Sequence, residues 1–431
     1  MDAYVSRKKR KLSPPPNQIG EISALSAEDD ESTDFKLALL SSIHPDIEQY
    51  TLLDILLAHE GDVEKATASL NVLPSSPTKK GSSAATGYQS SLQNFAIPEI
   101  DGNNSAKRTK LLSKKGKTLH LYSPDDVAAH TPCSIIHNFL PPEEANALLE
   151  ELLLEAPTFE RMTFKLFENV VQSPHTACFF VENLEEKKRQ MTEYIYNGQT
   201  LTDVRQLTPQ MRKVSPKVQE AVNSEVSKRI KARYPEGRKL KYQAATPWSP
   251  NAAIVNCYSG GAESVGYHSD QLTYLGPRAI IGSVSLGVAR EFRVRRVVPQ
   301  EVNAASKNSQ DGDAQGQISI HLPHNSLLVM HAEMQEEWKH SIAPAQAIDP
   351  HPISGNRRIN ITYRDYKSSL HPRNTPKCKC NIPTILRVVQ RKKDNWGRYF
   401  WMCYAGNVPG KEGCTFFQWA EFDDDGNPIW K

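Results

Sequence analysis

The chain has 431 residues, 39% of them hydrophobic, and its 52 Lys and Arg against 49 Asp and Glu leave a net charge of only +3. That length exceeds what one ordinary domain needs, and the near balance of charge excludes a histone-like polycation, so affinity for nucleic acid must reside in local patches. The longest apolar runs, such as Ile280 to Ala289, contain Gly and Ser and fall short of a membrane span, so no membrane crossing is expected.

In place of an apolar leader, the N-terminus carries Arg7-Lys8-Lys9-Arg10-Lys11 ahead of Pro14-Pro15-Pro16, a basic cluster that reads as a nuclear address. Residues 1–33 hold too little apolar surface to offset the entropy of ordering and are expected to be a disordered basic tail. From Asp34 the pattern becomes helical: Phe35, Leu37, Leu39 and Leu40, then Pro45, then Leu52 to Leu57, then Gly61-Asp62 opening Val63 to Leu70. Three short helices over 34–73 follow from it. This segment resembles a CUE domain in its helix lengths, its Pro after the first helix and its Gly-Asp-Val before the third. The resemblance implies a three-helix bundle that binds ubiquitin or a ubiquitinated protein. It departs from the family at Ile43-His44-Pro45, where Met-Phe-Pro is usual, and at Leu70-Asn71, where a Leu pair is usual; a bundle with another partner is the alternative. Residues 74–118 read as a linker. Within it Gln89, Leu92 and Phe95 match the spacing of a sliding-clamp-binding peptide, with Ala96 where a second aromatic is expected.

Residues 119–370 are expected to form the catalytic unit. Amphipathic helices are predicted over Pro141–Leu153 and Val218–Tyr234, with a lid between Phe164 and Arg212 built from Phe179, Phe180, Tyr194 and Tyr196 and the basic Lys187, Lys188 and Arg189. After Trp248 come short β-branched runs at Ala253–Tyr258, Ala279–Leu286, Glu291–Val298, Ile318–Leu322, Ser326–Met330 and Arg358–Arg364, with a polar loop over Gln300–Gln317. Helices before and strands after predict an α+β fold with a jelly-roll (double-stranded β-helix) core.

His268 and Asp270 stand two apart, so on a strand they share a face, and His340 comes from a distant segment. Two imidazoles and a carboxylate leave open positions on iron(II), as binding a 2-oxo acid and dioxygen together requires. In Arg358-Ile359-Asn360-Ile361-Thr362-Tyr363-Arg364 every even position is polar or cationic, so one face presents two guanidinium groups that demand anions. Asn256 and Tyr258 share another face. In this order, Asn-x-Tyr, His-x-Asp, Ser-Val-Ser-Leu-Gly, a distal His and Arg-x-Asn-x-Thr-x-Arg resemble the AlkB family of dioxygenases. The resemblance implies Fe(II) on His268, Asp270 and His340, with 2-oxoglutarate as co-substrate gripped at its distal carboxylate by Arg358, Asn256 and Tyr258. Asn360 lies on the same face, and Arg364 would sit near the carboxylate at the metal. It also implies oxidative demethylation of alkylated bases, as in DNA dealkylation repair. Where demethylating relatives carry a further Asp after His-x-Asp, this chain has Gln271 and Leu272; the Gln271 amide is the candidate for a base edge.

Cys378, Cys380, Cys403 and Cys414 supply the thiolates of a tetrahedral zinc site. With Gly397-Arg398-Tyr399-Phe400 before Cys403 and Phe416-Phe417-Gln418-Trp419 after Cys414, residues 371–431 resemble a GRF-type zinc finger. A β-hairpin is predicted, Ile385–Arg391 and Arg398–Cys403 joined through Trp396. Arg387, Arg391, Lys392, Lys393 and Arg398 lie among Trp396, Tyr399 and Trp401, which suits single-stranded DNA or RNA, with Arg398, Trp396 and Phe400 the expected contacts. Two alternatives stand beside the demethylase: a dioxygenase acting on RNA or a protein side chain, and a non-enzymatic adaptor between ubiquitin and nucleic acid.

Overall fold

In the computed structural model the described residues are Ile55, His59, 63–71 and 117–431, apart from 167–168, 197–198, 300–315, 409–410 and Lys431. The basic tail, most of the first two helices of the CUE-like segment, the linker with Gln89, Leu92 and Phe95, and nearly all of the Gln300–Gln317 insert lie outside them. Of the CUE-like segment, Val63–Asn71 is a helix in which Ala66 and Leu70 are buried.

The remaining described chain contains, in order, β1 (Thr118–Leu121), β2 (Cys133–His137), β3 (Glu160–Leu166), β4 (Asn169–Val181), β5 (Ile195–Tyr196), β6 (Gln199–Thr200), β7 (Val204–Gln206), β8 (Ala252–Ser259), β9 (Val265–His268), β10 (Ile281–Gly287), β11 (Arg290–Arg296), β12 (Gln317–Leu322), β13 (Ser326–Met330), β14 (Trp338–Ile342), β15 (Arg357–Arg364), β16 (Ile385–Val388), β17 (Tyr399–Met402) and β18 (Phe417–Ala420). A major sheet runs β2-β13-β10-β15-β8-β4-β3, with β7 paired to β4, and a minor sheet runs β1-β12-β11-β14-β9. These mixed sheets are consistent with the expected jelly-roll core.

Strand alternation decides the layers. Ile359, Ile361 and Tyr363 of β15, with Val255, Val284 and Leu327, pack against Leu148, Leu149 and Leu152 of one helix and Val214, Val218 and Val222 of another. The opposite face of the major sheet meets the minor sheet, where Ile254, Ile281 and Leu328 share a core with Phe292, Val294, Ile318 and Ile320. The first helix, Pro142–Glu155, opens with a Pro in its first turn, where no N–H is needed, followed by Glu143 and Glu144. The second begins at Pro209 rather than Val218: the Thr208 side chain caps it by accepting from the Met211 N–H, and Met211, Val214, Val218 and Val222 carry the buried stripe through Pro216. Gly282 lets this helix approach closely, since a Cβ there would lie 3.0 Å from Val222 Cγ2 and 3.3 Å from Trp248.

The segment expected to form a lid begins with a long hairpin. β4 pairs with β8 from Thr176↔Cys257 to Val181↔Ala252, so Phe179 and Phe180 are strand residues buried on opposite faces. Tyr194 is buried against Tyr274 and Tyr366. Of the expected aromatics only Tyr196 stays half-buried.

The C-terminal part forms a three-stranded sheet, β16-β17-β18, and not a hairpin alone. Leu386, Tyr399, Trp401 and Phe422 belong to the same apolar core as the inner faces of the major and minor sheets, so this part is packed onto the preceding one. The expected surface aromatics Tyr399 and Trp401 are therefore interior, because they share one face of β17; Phe400 takes the other. Truncating Ile361 to Ala should lower the unfolding free energy by about 2–5 kcal/mol in chemical denaturation, and Ile361→Val by about 1. Equal, small losses would show that the helix layer does not rest on β15.

Candidate metal and co-substrate site

β9 is the edge strand of the minor sheet and ends at His268, directly opposite His340 on β14. Asp270 follows two residues later. Its Oδ1 lies 3.6 Å from His268 Nε2 and 3.7 Å from His340 Nε2, and one donor atom from each residue falls within 4.8 Å of the others. The Nδ1 of His268 lies 2.8 Å from the Gly266 carbonyl, a bond that puts the proton on Nδ1 and leaves the Nε2 lone pair free. Burial pushes the His340 imidazole down to about 3, so it is neutral, the form that ligates metal. Burial alone would push the Asp270 carboxyl up, but Arg364, His340 and His268 outweigh it and hold it down at about 2. Two imidazoles and a carboxylate fit iron(II).

Asp270 is held from two sides. Arg364 Nη2 donates to Oδ2 at 3.0 Å, and the Asp270 backbone N–H donates to Gln335 Oε1 at 2.7 Å. Arg364 comes from the polar face of β15, where Arg358, Asn360 and Thr362 are also buried. Arg358 is 1% exposed, donates from Nη2 to Ser285 Oγ at 2.8 Å and sits 5.3 Å from the centre of the Tyr258 ring. Its Nε and Nη1 have no hydrogen-bond partner among the described residues. Burial pulls the guanidinium down only to about 10, so it remains charged near neutral pH. A buried charge left this way costs several kcal/mol, which a carboxylate brought beside it would offset. The unpartnered guanidinium therefore suits the distal carboxylate of a dicarboxylate.

Asn360 donates to Ser283 Oγ at 2.8 Å and to the Val284 carbonyl at 3.1 Å, and its Oδ1 accepts from Thr362 at 3.1 Å and from Asn256 at 3.4 Å. Its amide thus braces β10 against β15. His175 stacks on Tyr258 with centroids 4.6 Å apart. Sequence reasoning assigned no role to Ser283, Ser285, His175 or Gln335. The Ser-x-Ser alternation on β10 was a usable signal, since it faces the side of β15 that carries Asn360 and Arg358; for Gln335 there was none.

In the C-terminal sheet the four cysteine sulfurs converge, and Cys403 Sγ accepts from the backbone N–H groups of Ala405 at 3.3 Å and Cys414 at 3.4 Å. The set fits tetrahedral zinc. Arg398 lies over the Trp419 ring at 3.7 Å and donates to Asn395 Oδ1 at 2.8 Å. Phe400 stacks on the exposed Phe417 at 5.2 Å, and Trp396 is 40% exposed. Gln271 is not free for a base edge in this arrangement: its Nε2 donates to Tyr404 Oη at 3.1 Å. A further group, His120, Glu291 and His321, gathers across β1, β11 and β12, but its Glu291 carboxylate already accepts from Arg293 and Ser319.

Residues 132–364 match the 2OG-Fe(II) oxygenase superfamily, and residues 376–423 match the GRF zinc finger. Alpha-ketoglutarate-dependent dioxygenase alkB homolog 3 of Rattus norvegicus is 30% identical over 126 residues, 29% of this chain and 39% of that protein. DNA oxidative demethylase ALKBH2 of Arabidopsis thaliana is 32% identical over 122 residues, 26% of this chain and 37% of that protein. The chain thus spans well under half the length of these relatives.

Replacing Arg358 with Met should raise the KM for 2-oxoglutarate on the order of 100-fold, the loss expected for a bidentate charge-assisted contact. Because it also removes an unpaired buried charge, thermal stability without co-substrate should stay level or rise. A KM within threefold of the parent would show that Arg358 does not hold the co-substrate.

Proposed function

The chain belongs to the 2OG-Fe(II) oxygenase superfamily, and from that premise we propose that it oxidatively demethylates alkylated bases in single-stranded nucleic acid, in the manner of DNA dealkylation repair. As a 2-oxoglutarate-dependent dioxygenase it uses Fe(II) and 2-oxoglutarate, and its finger takes Zn(II). The observation that carries the reading is the His-Asp-His cluster and the unpaired Arg358 facing one interior, in a chain whose finger presents cations beside aromatic faces. The names of the relatives, which include a DNA oxidative demethylase, support the choice of substrate.

His268, Asp270 and His340 would hold the iron; Arg358, with Ser285 and Tyr258 beside it, would take the distal carboxylate; Arg364 would stand near the carboxylate at the metal. When bound, iron(II) with 2-oxoglutarate and dioxygen supplies oxidation of an N-methyl group, releasing succinate and carbon dioxide, and the hydroxylated methyl then leaves as formaldehyde. The protein's own part is positioning. Arg364 and Gln335 fix Asp270, the Gly266 carbonyl fixes the His268 ring, and burial of Arg358 keeps water from competing for the carboxylate. His268 is the exposed member of the cluster, with 41% of its side chain accessible, so substrate would arrive from the β9 edge. A base must be unstacked to reach such a site, which costs least in a single strand or at damage.

Cys378, Cys380, Cys403 and Cys414 would hold the zinc, and Arg398, Trp396 and Phe400 would contact the strand. Nuclear placement from the basic tail and recruitment to ubiquitin through residues 34–73 complete the proposal. An adaptor without catalysis is disfavoured, because an idle barrel has no physical need for the Arg358 charge. The purified chain with iron(II) and 2-oxoglutarate should release succinate and formaldehyde from oligonucleotides bearing 1-methyladenine or 3-methylcytosine, and His268→Ala should abolish both. Succinate without formaldehyde would leave the dioxygenase standing and sink the base-demethylase reading.

A further inference from the structure

The finger touches the oxygenase at the loop that carries the metal cluster. Gln390 Nε2 donates to the Gln335 carbonyl at 2.8 Å and to Ser269 Oγ at 3.3 Å, and Ser269 Oγ donates to the Trp338 carbonyl at 3.1 Å. Leu386 N–H donates to Thr273 Oγ1 at 3.3 Å, and the buried Tyr399 hydroxyl donates to Glu336 at 2.9 Å. With Gln271 bonded to Tyr404, residues on both sides of Asp270 are held by the finger. The two parts cannot turn against each other without breaking these buried contacts.

The same junction gathers cations. Arg391 follows Gln390 and Arg387 precedes it on β16, while Lys339 follows Trp338 on β14. Strand register puts Arg295 of β11 opposite Lys339, and Arg295 lies 4.2 Å over the ring of Tyr267, the residue before His268. Neighbouring arginines have acidic partners: Arg293 pairs with Glu291 at 2.9 Å and Arg296 with Glu337 at 3.8 Å. Among the described residues no such ion pair engages Lys339, Arg387 or Arg391. Lys339, Arg387 and Arg391, brought together without such a pair, are unfavourable by themselves, and a polyanion reverses the sign.

We propose that Lys339 and Arg295 of the oxygenase sheet and Arg387 and Arg391 of the finger form one phosphate track across the junction, occupied by the backbone of a single strand. The finger is then a wall of the substrate site and not a tethered delivery module. The track leads along the β9 edge to the exposed side of His268, and the aromatic faces of the finger supply the stacking that phosphates alone do not. This rests on the single-strand reading above.

The test is binding of a labelled oligothymidine longer than about 16 nucleotides to the full chain, followed by fluorescence anisotropy over a range of salt concentrations. Lys339→Gln and Arg391→Gln should each lower the slope of log K against log salt by about 0.7, and the double variant by about twice that. Arg398→Gln serves as a variant confined to the finger. If Arg398→Gln weakens binding while Lys339→Gln and Arg391→Gln leave slope and affinity unchanged, the strand lies on the finger alone and the track is wrong; failure of the parent to bind the strand overturns it equally. The assay needs neither iron nor a methyl group. Lowered slopes without methyl-dependent turnover would therefore retain the track and discard the demethylase reading, and unchanged slopes with turnover would do the reverse.

Discussion

A guanidinium buried without a counter-charge is the constraint around which this fold is arranged. Among the described residues Arg358 has one hydrogen bond to a hydroxyl, an aromatic ring beneath it, and no acid to neutralise it. Its charge is tolerable only because the rest of β15 is anchored, with Ile359, Ile361 and Tyr363 locked against two helices on the opposite face. Six residues on, Arg364 answers with the reverse arrangement, paired to Asp270 and so tied to the metal cluster. One strand thus carries a cation paired with a carboxylate at the metal end and, among the described residues, one without an acidic partner at the far end.

The second organising fact is that the finger is not an appendage. Its inner aromatics complete the core of the oxygenase, and its polar groups hold Ser269, Gln271 and Gln335. Gln335 in turn holds the backbone of Asp270. Disturbing the zinc cluster would reach the iron ligands through two hydrogen bonds and a shared core, so the two metal sites are coupled through the protein. It follows that the finger cannot be judged as a nucleic-acid module in isolation from the surface it lies on.

Much of this was legible in the sequence where the signal is local. Period-2 alternation in 358–364 separated the helix-facing apolar residues from the polar face, and the His-x-Asp and Cys spacings picked out donor sets that the fold brings together. The strands after Trp248 fell close to their expected limits because each is a short β-branched run bounded by turns. What failed was tertiary. Phe179 and Phe180 are buried in β4 and not on a lid surface, because that strand pairs with β8 and extends the major sheet. Tyr399 and Trp401 were read as surface because alternation says which residues share a face but not which face meets another domain. Gln390 and Gln335 act through partners far away in the chain, and no local pattern announces such a role.

The most direct measurement of the central claim is isothermal titration of the manganese-substituted chain, which cannot turn over, with 2-oxoglutarate and with 2-oxobutyrate, identical at the metal end but lacking the distal carboxylate. If the Arg358 charge awaits that carboxylate, 2-oxoglutarate binds on the order of 100-fold more tightly. Equal affinities would contradict the account, because the buried guanidinium would then have no bearing on binding of the co-substrate.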